Sequence, residues 1–387
     1  MHCPRPAFVL LSILVLPTAG LARLGAVEND LNLDVHGFIS FGHLQTWGNN
    51  WLGPTREGSN EFWETGLNTT ARPMDRLRLG AQLYARDLGN YDNGKVQLDL
   101  LYADYRVADA LGIQVGRFKL PAGLFNESMD VDASRVAVFQ VPYVYALRAR
   151  DLFVSTDGIK LYGTADAFEY AAFFGHKHLD PDGGVTTNFR QTNLPVAIDH
   201  LDTAWLAGGM LHWHTPVQGL DARVTLADVH RMEMFGSLPG GNVSAITTFG
   251  DYYYGIASLQ YETGSFTWVA EYNRSRARGT TVFAPAVLPE TPAGTNAEAA
   301  YISATWHAIR WLDFYGAVEN AVDDPADRSR NNVLTTVFAT CVYPLVNWSV
   351  KAEVRDNHGS KGAFAVDNPD GVEKRWQVLA LKTTVDF

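Results

Sequence analysis

The sequence predicts an all-β fold, a transmembrane antiparallel up-and-down β-barrel of about sixteen strands. The two ends of the chain and the dispersion of apolar residues between them support this. The chain closes on Leu379, Leu381, Thr383, Val385 and Phe387, alternate side chains that can all face lipid. Between them stand Val378, Ala380, Lys382, Thr384 and Asp386, mostly small or polar, as a water-facing wall requires. At the other end, Arg5, the apolar stretch from Ala7 to Leu16, Pro17 and a small-residue stretch to Ala22 read as a secretory signal peptide. The expected division is a signal peptide over 1–22 and one barrel domain over 23–387. The signal's apolar core is too short to span a bilayer, and no other stretch offers the roughly 20 apolar residues a spanning helix needs. Hydrophobic residues make up 47% of the chain while mean hydropathy is -0.10, so apolar side chains are spread by alternation.

Composition narrows the function classes. Glycine (34) and aromatics (10 Trp, 16 Tyr, 20 Phe) suit strands with tight turns and interfacial girdles, although a soluble sandwich or propeller could carry them too. A formal net charge of -11 argues against a nucleic-acid partner. Cys3 leaves with the signal, so Cys341 stands alone and no internal disulfide forms.

Strand segments recur through the chain, separated alternately by short turns and longer polar loops. The first runs from about Asn32 to Trp47 and ends in a Gly/Asn/Pro-rich loop reaching about Asn60. The next four are near 62–72, 76–86, 95–107 and 112–119. Five more follow at 157–164, 168–177, 204–214, 221–234 and 248–262, and the last six are 266–278, 297–309, 312–322, 332–343, 347–356 and 374–387. An even count lets both ends lie on one side of the membrane. An Arg or Lys facing lipid at mid-bilayer costs ~2–4 kcal/mol, so charges are assigned to the lumen. Leu77, Leu79, Ala81, Leu83 and Ala85 then face out, with Arg76, Arg78, Gln82, Tyr84 and Arg86 inside. Val346, Trp348, Val350, Ala352 and Val354 likewise alternate with Asn347, Ser349, Lys351, Glu353 and Arg355. From Gly112 to Lys119 the same rule favours the phase with Ile113 and Val115 inside, or a bulge, because the other phase exposes Arg117 and Lys119. Segments 204–214 and 332–343 show no clean phase.

The longest interval without alternation separates Lys119 from Asp157, and a structureless loop of that length is usually functional. It opens with Gly116-Arg117-Phe118-Lys119-Leu120-Pro121-Ala122-Gly123-Leu124-Phe125-Asn126-Glu127, followed by Asp130-Val131 with Arg135 and by Arg150-Asp151-Leu152. These runs, the strand order and the terminal Phe387 resemble the Gram-negative outer-membrane porin superfamily, in particular a sparsely characterised porin-like group with a GRxKxPxGLxNE segment. The enteric general porins' own loop signature is absent. The resemblance implies a bacterial outer-membrane location, a third loop folded into the lumen, and a possible homotrimer. It also implies that Leu381, Thr383, Val385 and Phe387 form an insertion signal read by barrel-insertion machinery. At the constriction it sets loop acids Glu127, Asp130 and Asp132 against wall bases Arg76, Arg78, Arg86, Arg117 and Lys119. Such charges can form a transverse field across the pore or pin the loop to the wall, and the sequence leaves both open.

The expected function is passive diffusion of small hydrophilic solutes or ions through a water-filled pore, with weak charge selectivity leaning toward anions. Outer-membrane lipid is the expected surroundings, and neither a cofactor nor covalent chemistry is needed. The alternatives are a substrate-specific anion or oligosaccharide channel, and a non-conducting barrel acting as receptor or adhesin. No G-x-S-x-G elbow or convincing Ser and His placement suggests an enzyme. The pairs His176-x-His178 and His212-x-His214 have spacing suited to metal ligation, but they lie at strand ends where solvated histidine is commoner, and no metal is expected. Trp47, Trp51, Tyr252, Tyr253, Tyr254 and Trp376 lie near strand ends and are assigned to interfacial girdles.

Overall fold

The computed structural model describes residues 32–177, 179–192, 196–329 and 331–387. The signal-peptide assignment and His178 lie outside these residues.

Alternation of apolar and polar side chains is a period-two pattern, and the chain answers it with sixteen antiparallel strands. They are β1 (Leu33–Trp47), β2 (Phe62–Met74), β3 (Leu77–Leu88), β4 (Gln97–Ala108), β5 (Leu111–Lys119), β6 (Ser155–Ala165), β7 (Phe168–His176) and β8 (Ala197–His214). The second half comprises β9 (Leu220–Ser237), β10 (Ser244–Thr263), β11 (Phe266–Ala284), β12 (Thr291–Ile309), β13 (Leu312–Val322), β14 (Asn332–Leu345), β15 (Trp348–Gly359) and β16 (Arg375–Asp386). Each strand pairs with its sequence neighbours, and β16 returns to β1. Phe387 seals that seam: its N–H donates to the Gly37 carbonyl at 2.9 Å and its carbonyl accepts from Gly37 N–H at 2.8 Å. The expected strands are all present, but β8 starts at Ala197, and β8 to β12 reach 18–20 residues each, longer than alternation alone marked. Two short helices interrupt the long loops, α1 (Arg150–Phe153) and α2 (Gly184–Thr192).

The inner and outer faces follow the alternation on β3, β15 and β16. Leu379, Leu381, Thr383, Val385 and Phe387 are exposed or half-buried on the outer face, and Val378, Ala380, Lys382 and Thr384 are buried inside. Around β11 to β14 the outer face carries a row of stacked rings: Phe266 on Trp306 at 6.2 Å, Trp306 on Phe314 at 5.7 Å and Phe314 on Phe338 at 6.2 Å.

Three phases needed the tertiary structure. On β5 the expected assignment is reversed: Val115 lies outside, 52% exposed, while Gln114 and Phe118 point inward. Arg117 therefore lies on the outer face, where its bidentate pair with Asp157 on β6, 2.7 and 2.6 Å, replaces the neutralisation that the lumen was expected to give. On β14 Val333, Thr335, Val337, Ala339 and Cys341 are buried inside while Leu334, Thr336 and Phe338 face out, so both faces are apolar. On β8 the register to β9 shifts between Ile198 and His200, and the buried phase changes again beside Trp205, where Ala204 and its opposite Arg231, in the left-handed region (φ 45°), drop out of the pairing, so Leu206, Met210, His212 and His214 face inward.

Phe338→Arg puts a guanidinium on the outer face of β14 and should cost ~2–4 kcal/mol in a bilayer. Urea titration of vesicle-refolded protein reads this directly; an unchanged midpoint would assign β14 the opposite phase.

Candidate functional site

The chain between β5 and β6, residues 120–154, lies inside the barrel, because its partners are inner-face side chains on opposite sides of the ring. It is built of short 3-10 turns at Asn126–Ser128, Asp132–Ser134 and Leu147–Ala149 followed by α1. Its entry depends on Gly123, at φ 59°, where an added Cβ would lie 2.6 Å from Ile256 Cδ1 and from the Tyr145 hydroxyl.

Asp132 is a fully enclosed anchor, with no solvent exposure. Its carboxylate accepts from Lys382 Nζ at 2.9 Å and Thr384 Oγ1 at 2.8 Å on β16, and meets Lys351 Nζ on β15 at 2.9 Å. Arg135 of the same segment lies at 3.0 Å, and Lys382 also bridges to Glu64 on β2 at 2.8 Å. Burial alone would push the Asp132 carboxyl up, but Lys382, Lys351 and Arg135 outweigh it and hold the carboxyl well below the usual carboxylate range.

A second network centres on Asp130, which pairs with Lys119 at 2.6 Å and Arg150 at 2.6 Å and accepts from Gln82 at 3.0 Å. Arg150 also grips Asp99 on β4 and lies over the Tyr84 ring, 4.0 Å from its centroid. Glu353 on β15 accepts the backbone N–H groups of Val138 and Phe139 at 2.7 and 3.1 Å. Across the ring, Glu271 on β11 accepts from Leu124 N–H at 3.0 Å and the hydroxyls of Tyr145 at 2.5 Å and Tyr301 at 2.7 Å.

Apolar contacts complete the attachment. Leu120, Val141, Tyr145 and Leu152 are buried against Leu206, Val229, Met232 and Ile256 of the wall. Phe139 stacks on Phe62 at 5.4 Å and meets Trp51 edge-on at 5.1 Å. Trp51, Trp376 and Tyr254 are therefore buried inside, holding this segment, and not at an outer girdle; of the aromatics assigned there, Trp47 and Tyr253 are exposed.

The expected constriction charges separate. Lys119 meets a loop acid as expected. Glu127 pairs instead with Arg223 on β9 at 3.0 Å and Lys160 on β6 at 3.6 Å. Arg78 pairs with Asp104 at 3.3 Å, and Arg76 sits in the β2–β3 turn, donating to the Val107 carbonyl at 3.1 Å. Arg86 bonds Asp92 and the Leu147 carbonyl, and Arg117 is outside. With Asp130 and Asp132 buried against their partners, these acids pin the segment and do not line an open gap. Arg135 and Arg150 emerge as anchors; both stood in the quoted runs, but only their neighbours' positions reveal what they hold.

Two cavities flank the segment. One of ≈1000 Å³ on the long-loop side is bordered by α1, α2 and the ends of β9 to β12, with acids Glu298, Asp323 and Asp324 against bases Arg148 and Lys361. The other, ≈600 Å³, lies at the short-turn end and gathers Arg72, Arg76, Arg78, Arg106, Lys160 and Arg223 against Asp75, Asp104, Glu127 and Glu169. No described residue lines both.

Solved structures share this architecture. OmpF of Salmonella typhi, solved with daunomycin, superposes with a TM-score of 0.62 at 11% identity, covering 92% of this chain and 97% of that one. An anion-selective porin from Comamonas acidovorans gives 0.56 at 10% identity over 92% and 100%. Outer-membrane-expressed OmpT of Vibrio cholerae gives 0.56 at 12% identity over 93% and 98%. The chain thus has the fold of outer-membrane porins. No family model and no curated protein matches the sequence.

Removing one partner of a buried charge cluster leaves the others uncompensated, so Asp132→Ala should cost about 3–5 kcal/mol in barrel stability, read from the urea midpoint. Because the Asp132 carboxyl titrates below its usual range, its contribution is fully present above the unfolded value and fades only as pH falls through the lowered one. The Asp132→Ala penalty should therefore be the same at pH 7 and pH 5; a larger penalty at pH 5 would mean a carboxyl raised above its usual range and not held below it.

Proposed function

We propose that this chain is an outer-membrane porin that passes small hydrophilic solutes or ions by diffusion, with the inserted segment 120–154 setting the size limit. The observation that carries this is a closed barrel whose interior holds two vestibules bearing charged residues, with a segment locked to the wall between them. A receptor or anchor would not need a wall lined with charges above and below a fixed obstruction; a size filter does. The charge bias supports weak net selectivity. Acids gather at the long-loop vestibule and bases at the short-turn vestibule, so the two ends favour opposite ions and the opposing potentials partly cancel. The basic vestibule also favours one narrower reading, a channel for organic anions, which saturable block of conductance by a carboxylate would reveal. Catalysis is not part of the proposal, and the lumen aromatics Trp51, Tyr254 and Trp376 are engaged in holding the segment.

Single-channel recording of the refolded protein in a planar bilayer tests the proposal. Replacing residues 121–153 with a short turn should raise the unitary conductance; silence from both folded proteins would exclude a channel. Under a salt gradient, Asp323→Asn with Asp324→Asn should move the reversal potential toward anion preference, and an unmoved potential would take those acids out of the ion path.

A further inference from the structure

The short-turn end of the inner wall carries a cluster that the ion-pair network of the segment does not use. His212 and His214 occupy positions i and i+2 of β8, so both rings emerge on its inner face. Register brings a carboxylate beside each from the two neighbouring strands: Glu169 on β7 pairs with His212, and Asp221 on β9 with His214. The ring centroids are 4.4 Å apart. Glu169 Oε2 lies 3.5 Å from His212 Nδ1 and its Oε1 3.2 Å from His214 Nε2. Asp221 Oδ1 lies 2.7 Å from His214 Nδ1 and 3.6 Å from His212 Nε2. His212 Nε2 is buried without a hydrogen-bond partner. Ligand atoms from Glu169, His212 and His214 all lie within 4.8 Å of one another.

We propose that His212, His214 and Glu169, with Asp221 holding the far ring nitrogens, form a binding site for a divalent transition-metal ion, Zn2+ or Cu2+, at the short-turn mouth of the barrel. Two imidazoles and the Glu169 carboxylate supply three ligand atoms and leave a fourth position for water, a set that suits such ions, whereas Mg2+ and Ca2+ favour more oxygens; Asp221, on the far nitrogen of each ring, orients the imidazoles. The two carboxylates balance the ion's charge, so the surrounding bases do not forbid it. Arg223, the cross-strand neighbour of His212, is directed to Glu127 at 3.0 Å. Access is open: Glu169 borders the ≈600 Å³ cavity, and the His214 side chain is 48% exposed. The ion would tie β7, β8 and β9 together and place positive charge where solutes cross the mouth. The proposal departs from the expectation of solvated histidines at this turn, and the solvent access that suggested them serves as the entry path for the ion.

A second group, Asp228, His230 and Asp251, meets the same distance condition but supplies a single imidazole. That ring is stacked on Trp205 at 4.7 Å and bonded to Asp251 at 2.5 Å, so it serves as the control.

The test is calorimetric titration of the folded, detergent-solubilised barrel with ZnCl2, with Cu2+ electron paramagnetic resonance as the second readout. The expected result is one Zn2+ per barrel and nitrogen hyperfine structure from two imidazoles. Both should be lost in His212→Gln/His214→Gln and retained in His230→Gln. Glu169→Gln, which keeps both rings, guards against misfolding of the double variant and should weaken Zn2+ binding at least about tenfold. Absence of binding by the wild-type barrel, or binding indifferent to His212, His214 and Glu169, overturns the proposal. The readout does not involve conductance, so its failure and the failure of the diffusion function are separate results.

Discussion

A sheet that must lie in hydrocarbon cannot keep an open edge, because each unpaired N–H or C=O there costs several kcal/mol. The pairing of β16 with β1 meets that constraint, and the rest of the structure depends on it. Phe387 extends the seam by one more residue, trading both backbone bonds with Gly37. Closure fixes which face of every strand is inner, and hence which charges must find partners inside. It also sets the distance that an inserted segment has to bridge.

The interior meets that demand in two ways. Toward β15, β16 and β2 to β5 the segment is held by ion pairs around Asp132 and Asp130, where several bases share each carboxylate. Toward β8 to β12 it is held mainly by apolar packing around Leu120, Tyr145 and Leu152, with Glu271 as the polar anchor. Buried ion clusters contribute less net stability than their short distances suggest, since desolvation offsets much of the attraction. Their value here is positional: a carboxylate serving Lys382, Lys351 and Arg135 has few other geometries open to it, so the segment cannot slide along the wall.

At the two mouths the inner wall is less committed. Bases at the short-turn end and acids at the long-loop end flank the segment, giving each vestibule its own electrostatic character. The histidine and carboxylate cluster on β7 to β9 borders the basic vestibule through Glu169, apart from the Asp132 network. A function built on passage and one built on metal occupancy would thus meet in the barrel at Glu169, which borders the vestibule and belongs to the cluster.

Much of this was legible in one dimension. The class of fold, the sixteen strands, the inner faces of β3, β15 and β16, and the extent along the chain of the long interval between β5 and β6 follow from alternation and its interruption, because the contrast between lipid and water acts on every second residue; that this interval enters the lumen was implied only by resemblance. Where that contrast vanished, so did the signal. β14 and the inward part of β8 carry apolar inner residues because an inserted segment or a neighbouring side chain, not water, covers them. Arg117 could be placed outside only once Asp157 was known to stand beside it, a neighbour 40 residues away in sequence. The same limit governed the constriction. The bases and acids could be named from the chain, but their partners could not, since pairing is decided by register between distant strands and by the path of a segment with no period of its own. Sequence alone therefore determined which residues meet water and which meet lipid on strands with a clean alternation such as β3, β15 and β16. Tertiary structure alone decided that Asp132 belongs to Lys382 and Lys351, and that Glu169 and Asp221 converge on two histidines.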